Sequence, residues 1–220
     1  VLSCGELFQP LIELMKQQII HHHYLCVDET PVQVLEEKGK PKLSNSYMWS
    51  YLTGPPENRL ILYDYQSSRS GAAVTTFLED FKGYLQTDGY GGYNQLQVKP
   101  EIKAVGCWAH ARRKFVEIIK ANKKAKKAAE AVNIIKQLYQ IESEAKAQQL
   151  NTKATQQLRQ EKAKPLLERF KLWLEETLKA VPPQSPIAKA IQYTLNQWTN
   201  LITYIEHGEL MIDNNAVENA

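Results

Sequence analysis

Residues 24–30, Tyr-Leu-Cys-Val-Asp-Glu-Thr, decide the fold that this sequence predicts. They form a short β-prone run that ends in acidic residues, with Asp28 directly after the apolar Val27. A carboxylate in an apolar central strand is costly unless a neighbouring group compensates for it. The run therefore predicts a strand whose end carries a candidate functional acid.

Elements of both kinds surround this strand in the sequence. A helix is predicted over 7–20, and the alternation at 47–53 has the two-residue period of a strand. The remaining predictions are a strand at 60–65, a helix at 71–81, a strand at 84–87, a helical turn at 93–96 and a strand at 102–105. Turns are predicted at 39–41 and 54–56, which are rich in Gly and Pro.

The order of these elements, βββαβαβ, predicts a five-stranded mixed sheet of the α/β class. Its first three strands form an antiparallel meander, and strand–helix–strand connections generally join parallel neighbours. After Trp108 the pattern is helical almost throughout, with apolar stripes at helical spacing. We therefore predict three ranges: a catalytic core at 1–115, a helical domain at 116–206, and a return to the core at 207–220.

Composition narrows the class of protein. The chain has 220 residues, 43% of them hydrophobic, and no apolar run approaches the 18 residues of a membrane-spanning helix. Three cysteines, Cys4, Cys26 and Cys107, cannot build a disulfide framework and favour a reduced, cytoplasmic compartment. The chain starts at Val1 rather than at a methionine, so we expect a fragment of a longer protein.

The net charge of +3 conceals an uneven distribution. Residues 99–164 hold 16 Lys and Arg against 6 Asp and Glu, whereas the rest of the chain is acidic. A basic block of this kind predicts a polyanionic partner. For residues 120–127 alone, a solvated lysine-rich helix face is the more ordinary interpretation.

Two aspartates stand at the ends of predicted strands. Asp28 ends the first strand and Asp88 follows the fourth, and these strands can be neighbours in a sheet of this order. Two close carboxylates repel each other unless a cation or a proton lies between them. Hard oxygen ligands favour Mg²⁺ or Mn²⁺. The alternative is structural: Asp88 starts an Asp-Gly turn and Asp28 caps a strand end.

Four motifs in order carry a resemblance to a known family. Val-Asp-Glu-Thr-Pro at 27–31, Leu-Gln-Thr-Asp-Gly-Tyr at 85–90, Cys-Trp-Ala-His-Ala-Arg-Arg-Lys-Phe at 107–115 and Ile-Asp-Asn-Asn-Ala-Val-Glu-Asn at 212–219 resemble bacterial transposases of the insertion sequence 66 family. The resemblance implies a ribonuclease-H-like fold with an all-α insertion domain. It also implies a DDE triad of Asp28, Asp88 and Glu218.

That resemblance implies a chemistry as well. Two Mg²⁺ or Mn²⁺ ions held by the triad would support cleavage of DNA and transfer of the strand to target DNA, in a homo-oligomer. Acidic residues alone do not distinguish a transposase from a metal-dependent nuclease without strand transfer. A non-catalytic DNA-binding or assembly fragment is a third hypothesis.

The Cys-x-x-His motif has two interpretations. Cys107 and His110 could form half of a zinc site, but no second pair follows at zinc-finger spacing. The family resemblance makes His110 a residue that lines the site, where it would contact a phosphate oxygen or orient a carboxylate. A half-buried histidine bonded to a backbone carbonyl is the structural alternative.

Basic residues near the motifs are candidates for phosphate contacts. Beyond the third strand, Arg69 is one candidate, with a solvent-exposed loop arginine as the alternative. The others lie in the basic block: Arg112, Arg113, Lys114, Lys123 and Lys124.

Glu218 also has competing interpretations. Asn215 and Glu218 have the spacing of a capping box, in which the glutamate serves only the start of its helix. Asp213 lies five residues earlier and could supply the third acid instead. The family pattern favours Glu218.

Overall fold

The computed structural model describes residues 2–35, 44–54 and 58–218. Its first part alternates helices and strands: α1 (Leu2–His21), β1 (Tyr24–Val34), β2 (Ser44–Thr53), β3 (Leu60–Gln66), α2 (Gly71–Phe77), β4 (Gly83–Gln86), α3 (Asn94–Gln97) and β5 (Ile102–Val105). A 3₁₀ turn at Gly91–Tyr93 precedes α3. The five predicted strands are therefore confirmed, but β1 continues to Val34, so Asp28 lies within this strand and not at its end as predicted.

The strands form one mixed sheet in the order β3-β2-β1-β4-β5. β1 and β2 pair in antiparallel orientation, as do β2 and β3, which confirms the meander. β4 runs parallel to β1 with Cys26 opposite Gln86. The first and fourth strands are thus neighbours, as the order of elements allows.

One face of the sheet carries the apolar core of this part of the molecule. Alternate residues of β1, Leu25 and Val27, are fully buried on it, together with Trp49 and Tyr51 of β2. Met15 and Ile19 from the end of α1 pack against the same core, whereas Leu7 near its start is 79% exposed. The side chains at even positions of β1, including Asp28, point to the opposite face because strand residues alternate.

The helix predicted over 71–81 is shorter than expected. α2 begins after the N-cap Ser70, whose side chain accepts a hydrogen bond from the amide of Ala72, and it ends at Phe77. Leu78 and Phe81 remain buried without being helical. The apolar spacing correctly predicted that these residues are buried, but they reach the core from the segment after the helix. The turn predicted at 39–41 lies outside the described residues, and of 54–56 only Gly54 is described, with φ +87°.

The chain divides into two compact units. The first comprises residues 1–104 and 214–220, and the second comprises residues 105–213. The predicted ranges place their boundaries instead at 115/116 and 206/207. Their assignment as catalytic and insertion domains stays a prediction.

The second unit is helical. Its elements are α4 (Trp108–Ala121), α5 (Lys126–Ala147), α6 (Thr152–Leu158), a π-helical turn (Arg159–Ala163), α7 (Lys164–Lys179), α8 (Pro186–Asn196), α9 (Trp198–Ile202) and a 3₁₀ turn (Thr203–Glu206). Pro186 occupies the first turn of α8, a position that tolerates proline. Trp108, Phe170 and Trp198 pack ring against ring in its core.

A buried ion pair ties the helices of this second unit together. Arg159, 3% exposed, donates two hydrogen bonds to the carboxylate of Glu142. It also donates to the carbonyls of Tyr204 and His207. In the described ranges, no helix is long and apolar enough to cross a membrane.

Candidate functional site

Two of the predicted acids are aligned by the pairing of their strands. Because Cys26 lies opposite Gln86 in parallel register, Asp28 and Asp88 each lie two residues further along neighbouring chains. Both side chains are half-buried. Asp88 also accepts a hydrogen bond from the amide of Tyr90, 2.8 Å away, which fixes its turn. The Asp-Gly turn, which was the structural alternative for Asp88, is therefore present, and it holds the carboxylate beside β1.

A short last helix carries the third acid. α10 (Asn215–Glu218) has four residues and contacts β1 and β2. The carbonyl of the fully buried Asn214 accepts hydrogen bonds from the amides of Val217 and Glu218. Its side-chain amide donates to the carbonyl of Val27, 2.9 Å away. One residue thus caps the helix of Glu218 and attaches it to the strand of Asp28.

Asp88 and Glu218 lie within electrostatic reach of Asp28. Burial is the largest cause that raises the pKa of Asp28 to about 7, and the charges of Glu29, Glu218 and Asp88 contribute in that order. Each negative neighbour disfavours the ionised form. A divalent cation would offset this repulsion, and carboxylate oxygens are ligands that Mg²⁺ and Mn²⁺ prefer.

Asp213 has a different environment. Its carboxylate accepts a hydrogen bond from the hydroxyl of Tyr139 on α5, 2.8 Å away, within the helical unit. Burial raises the pKa of Tyr139, and the charge of Asp213 adds to this rise, so the phenol stays protonated as the donor. Asp213 is thus held by a helix of the second unit, whereas Glu218 lies on a helix that contacts β1. This difference favours Glu218 over Asp213 as the third acid.

An ion pair that the sequence did not predict lies on the apolar face of β1. Glu29 is 7% exposed and accepts two hydrogen bonds from Arg69 and one from the hydroxyl of Tyr93. Burial raises the pKa of Glu29, while the bonds from Tyr93 and Arg69 counter part of this rise. The sequence did indicate that the Glu29 side chain is buried. Side chains alternate along a strand, so Glu29 lies on the same face of β1 as Leu25 and Val27, which face the core.

Arg69 is thus not the solvated loop arginine that was one interpretation. Its guanidinium carbon lies 3.8 Å from the centroid of the Tyr90 ring, and the Tyr90 hydroxyl donates to its carbonyl at 3.0 Å. The side chain nevertheless keeps 42% of its surface exposed. A phosphate contact by Arg69 stays a prediction.

Cys107 and His110 lie together at the start of α4. The Sγ of Cys107 and the Nδ1 of His110 are 3.2 Å apart, and Arg113 lies 3.4 Å from Nε2. Because a guanidinium can only donate, Nε2 accepts and Nδ1 carries the ring proton toward sulfur. Both ring nitrogens therefore have a partner at the start of α4, and the zinc interpretation stays untested. The predicted role of His110 in lining the site stays untested.

The basic candidates of the helical unit are exposed. Lys114 lies 5.3 Å from the centroid of the Tyr193 ring, and Arg112 is exposed on α4 beside it. Lys123 and Lys124 belong to the turn between α4 and α5. A continuous helix face over 120–127 is therefore wrong: α4 ends at Ala121, and the Asn122 side chain caps the turn by accepting from the Lys124 amide.

Comparison with known proteins matches the chain to a family. The family model described as Transposase IS66 family matches residues 1–220. The chain belongs to the IS66 transposase family. This membership confirms the resemblance carried by the four motifs, although the family model does not assign the acids.

Relatives of this IS66 family chain come from a rhizobium. It is 31% identical to the uncharacterized protein y4jD of Sinorhizobium fredii (strain NBRC 101917 / NGR234) over 96% of the chain and 42% of that protein. It is 29% identical to the uncharacterized protein y4qI of the same strain over 96% of the chain and 41% of the relative. The chain thus spans less than half the length of these relatives. No solved structure matches it.

Proposed function

We propose that this chain is the catalytic part of a DDE transposase, which cleaves DNA and joins the freed strand to target DNA. The observation that carries the proposal is the parallel register of β1 and β4, which aligns Asp28 with Asp88, together with the packing of the Glu218 helix on β1. Burial and acidic neighbours both raise the pKa of Asp28, which is a cost for a fold that does not use these acids. Membership of the IS66 family supplies the reaction class.

Asp28, Asp88 and Glu218 would hold two Mg²⁺ or Mn²⁺ ions in this proposal. When bound, such ions activate a hydroxyl and stabilise the leaving oxygen of a phosphodiester. The chain's own carboxylates supply the negative charge that the ions require, and Asn214 keeps the third carboxylate near the first. A ribonuclease-H-like classification of the sheet belongs to the same proposal.

The proposed reaction has two steps at one site. Water attacks the scissile phosphorus, the bond to the 3′ oxygen breaks, and the products are a 3′-hydroxyl and a 5′-phosphate. The 3′-hydroxyl then attacks a phosphorus of target DNA, and a second 3′ oxygen leaves. Transposon ends and target are thus the proposed DNA partners, and a homo-oligomer is the proposed active assembly.

A nicking assay tests the first step. Supercoiled plasmid incubated with the chain and Mg²⁺ should yield nicked circles whose 3′ ends a polymerase extends without phosphatase treatment. Asp88→Asn should abolish nicking, whereas Asp80→Asn, an exposed aspartate outside the site, should retain it. Nicking that survives Asp88→Asn contradicts the proposal. Joining of a labelled 3′-hydroxyl oligonucleotide to plasmid then separates a transposase from a nuclease.

A further inference from the structure

Glu29 and Arg69 form an ion pair whose presence calls for a reason. The Glu29 side chain is 1% exposed, although its Arg69 partner keeps 42% exposure. Burying a carboxylate costs free energy that an ion pair recovers only in part, and apolar replacements are often at least as stable. The pair is therefore weak evidence for stability, and its location suggests another purpose.

The contacts around the pair join the first acid to the second. Glu29 is the residue directly after Asp28, and its carboxylate binds Arg69. The Arg69 guanidinium stacks on Tyr90, whose hydroxyl donates to the Arg69 carbonyl. The Tyr90 amide in turn donates to the Oδ1 of Asp88. A continuous series of contacts thus runs from the backbone of Asp28 to the carboxylate of Asp88.

Close packing makes this series stiff. The hydroxyl of Tyr93 binds the second carboxylate oxygen of Glu29, so both oxygens are held. Gly71 lies against the turn after Asp88, since a Cβ added there would be 2.2 Å from the carbonyl oxygen of Gly92. The guanidinium is planar, stacks on an aromatic ring and donates two hydrogen bonds to one carboxylate. It therefore fixes the orientation of its partners better than a single point charge does.

We infer that Glu29 and Arg69 are positioning residues, which set the separation of Asp28 and Asp88 so that both carboxylates bind the divalent cations. The inference rests on the proposed function. Neither residue touches DNA or metal in this role. Arg69 acts through Glu29 on the β1 side and through Tyr90 on the Asp88 side.

A purely electrostatic role makes the opposite prediction for one variant. Arg69→Gln removes a positive charge near the acids, so through-space electrostatics would tighten cation binding. A positioning role weakens it, because the link to Tyr90 and Asp88 is broken. Arg69→Lys keeps the charge but removes the paired hydrogen bonds and the stacking. A positioning role therefore predicts weaker cation binding by this variant, and an electrostatic role predicts no change.

The test is the affinity of the 220-residue chain for Mn²⁺, measured by the electron paramagnetic resonance signal of the free ion. Glu29→Gln and Arg69→Gln should each weaken binding about 10-fold or more, as removal of groups behind metal ligands typically does. The Mn²⁺ affinity of the double variant should be no lower than that of the weaker-binding single variant, because both residues act through one link. Arg69→Lys should also bind more weakly.

Controls separate positioning from loss of folding. Glu142→Gln breaks a buried Arg–Glu pair in the helical unit, and it should lower the unfolding temperature without changing Mn²⁺ affinity. Unchanged or tighter binding by Arg69→Gln or Arg69→Lys overturns the inference. If Asp28→Asn also leaves Mn²⁺ affinity unchanged, the metal site of the proposed function is contradicted, and the positioning role with it. If Asp28→Asn abolishes binding while Glu29→Gln does not weaken it, only the inference fails.

Discussion

At the scale of single residues, the raised pKa of Asp28 leads to a prediction about stability. Its pKa near 7 lies well above the ordinary value of 3.8. Stability from such a group is fully present below its unfolded pKa and is lost as the pH rises through its folded pKa. The metal-free chain should therefore lose stability between about pH 4 and pH 7.

Asp28→Asn should stabilise the metal-free chain at pH 8. The change removes the charge that burial and three acidic neighbours oppose, and we expect about 1–2 kcal/mol after solvent screening is allowed for. Urea unfolding in EDTA at pH 8 and pH 4 measures the difference, which should nearly vanish at pH 4. Asp80→Asn is the matched control and should stay within about 0.5 kcal/mol at both values. A destabilised Asp28→Asn at pH 8 contradicts the assignment.

Sequence patterns revealed the acids but not what holds them. Asp28 and Asp88 were predicted because each follows β-prone residues, and the order of strands allows them to be neighbours. The Glu29–Arg69 pair was not predicted, since the two residues are 40 positions apart and their contact depends on how a loop folds over the sheet. Likewise, nothing local predicts that the Asn214 amide reaches Val27, 187 positions away.

At the scale of elements, α10 depends on its cap. A helix of four residues cannot hold itself together in water and needs tertiary contacts. Asn214→Ala removes a buried hydrogen bond to Val27, and we expect it to cost about 1–3 kcal/mol. We also expect at least about 10-fold weaker Mn²⁺ binding, because Glu218 would lose its attachment.

The matched control for this cap is the next residue, Asn215, which is exposed. Asn215→Ala should change stability by less than about 0.5 kcal/mol and should leave Mn²⁺ affinity intact. Equal effects of the two alanine variants on Mn²⁺ affinity would show that the buried amide of Asn214 has no special part in the site.

The start of β4 depends on a glycine. Gly83 has φ +131°, and a Cβ there would be 2.3 Å from the carbonyl oxygen of His23. Gly83→Ala should therefore destabilise the chain by about 2 kcal/mol or more, because both the backbone conformation and the contact are unfavourable. Gly91→Ala is the control, since its Cβ would have an ordinary contact at 3.8 Å. Similar unfolding midpoints for the two variants would contradict this prediction.

Element types were more predictable than element ends. Strict alternation identified β2, because a half-buried strand must alternate. The end of α2 was missed because Leu78 and Phe81 keep helical spacing while they pack from a turn. Tertiary burial, not local propensity, determines where that helix stops.

At the scale of the whole molecule, the basic block lies almost entirely in the helical unit, residues 105–213. We expect this charge to bind DNA phosphates, so that affinity falls steeply with salt. Replacement of Arg112, Arg113, Lys123 and Lys124 by Gln should weaken DNA binding. It should also reduce the slope of log affinity against log salt concentration by about 0.9 for each phosphate that is no longer neutralised. Fluorescence anisotropy with a duplex at several salt concentrations measures both.

Charge outside the block provides the control. Lys171 and Lys179 are exposed on α7, and their replacement by Gln should leave affinity and slope close to those of the unmodified chain. An unchanged slope in the fourfold variant would mean that the block is only a solvated surface. The sequence alone could locate this charge but could not show which of its side chains are exposed.

The central claim is that Asp28, Asp88 and Glu218 bind divalent cations together. The most direct measurement is anomalous diffraction from crystals of the chain soaked in Mn²⁺, with an Asp88→Asn crystal as the reference. We predict anomalous density in direct coordination with the carboxylates of Asp28, Asp88 and Glu218, and its loss or marked weakening in Asp88→Asn. Manganese bound elsewhere while these three carboxylates remain without it would contradict the claim.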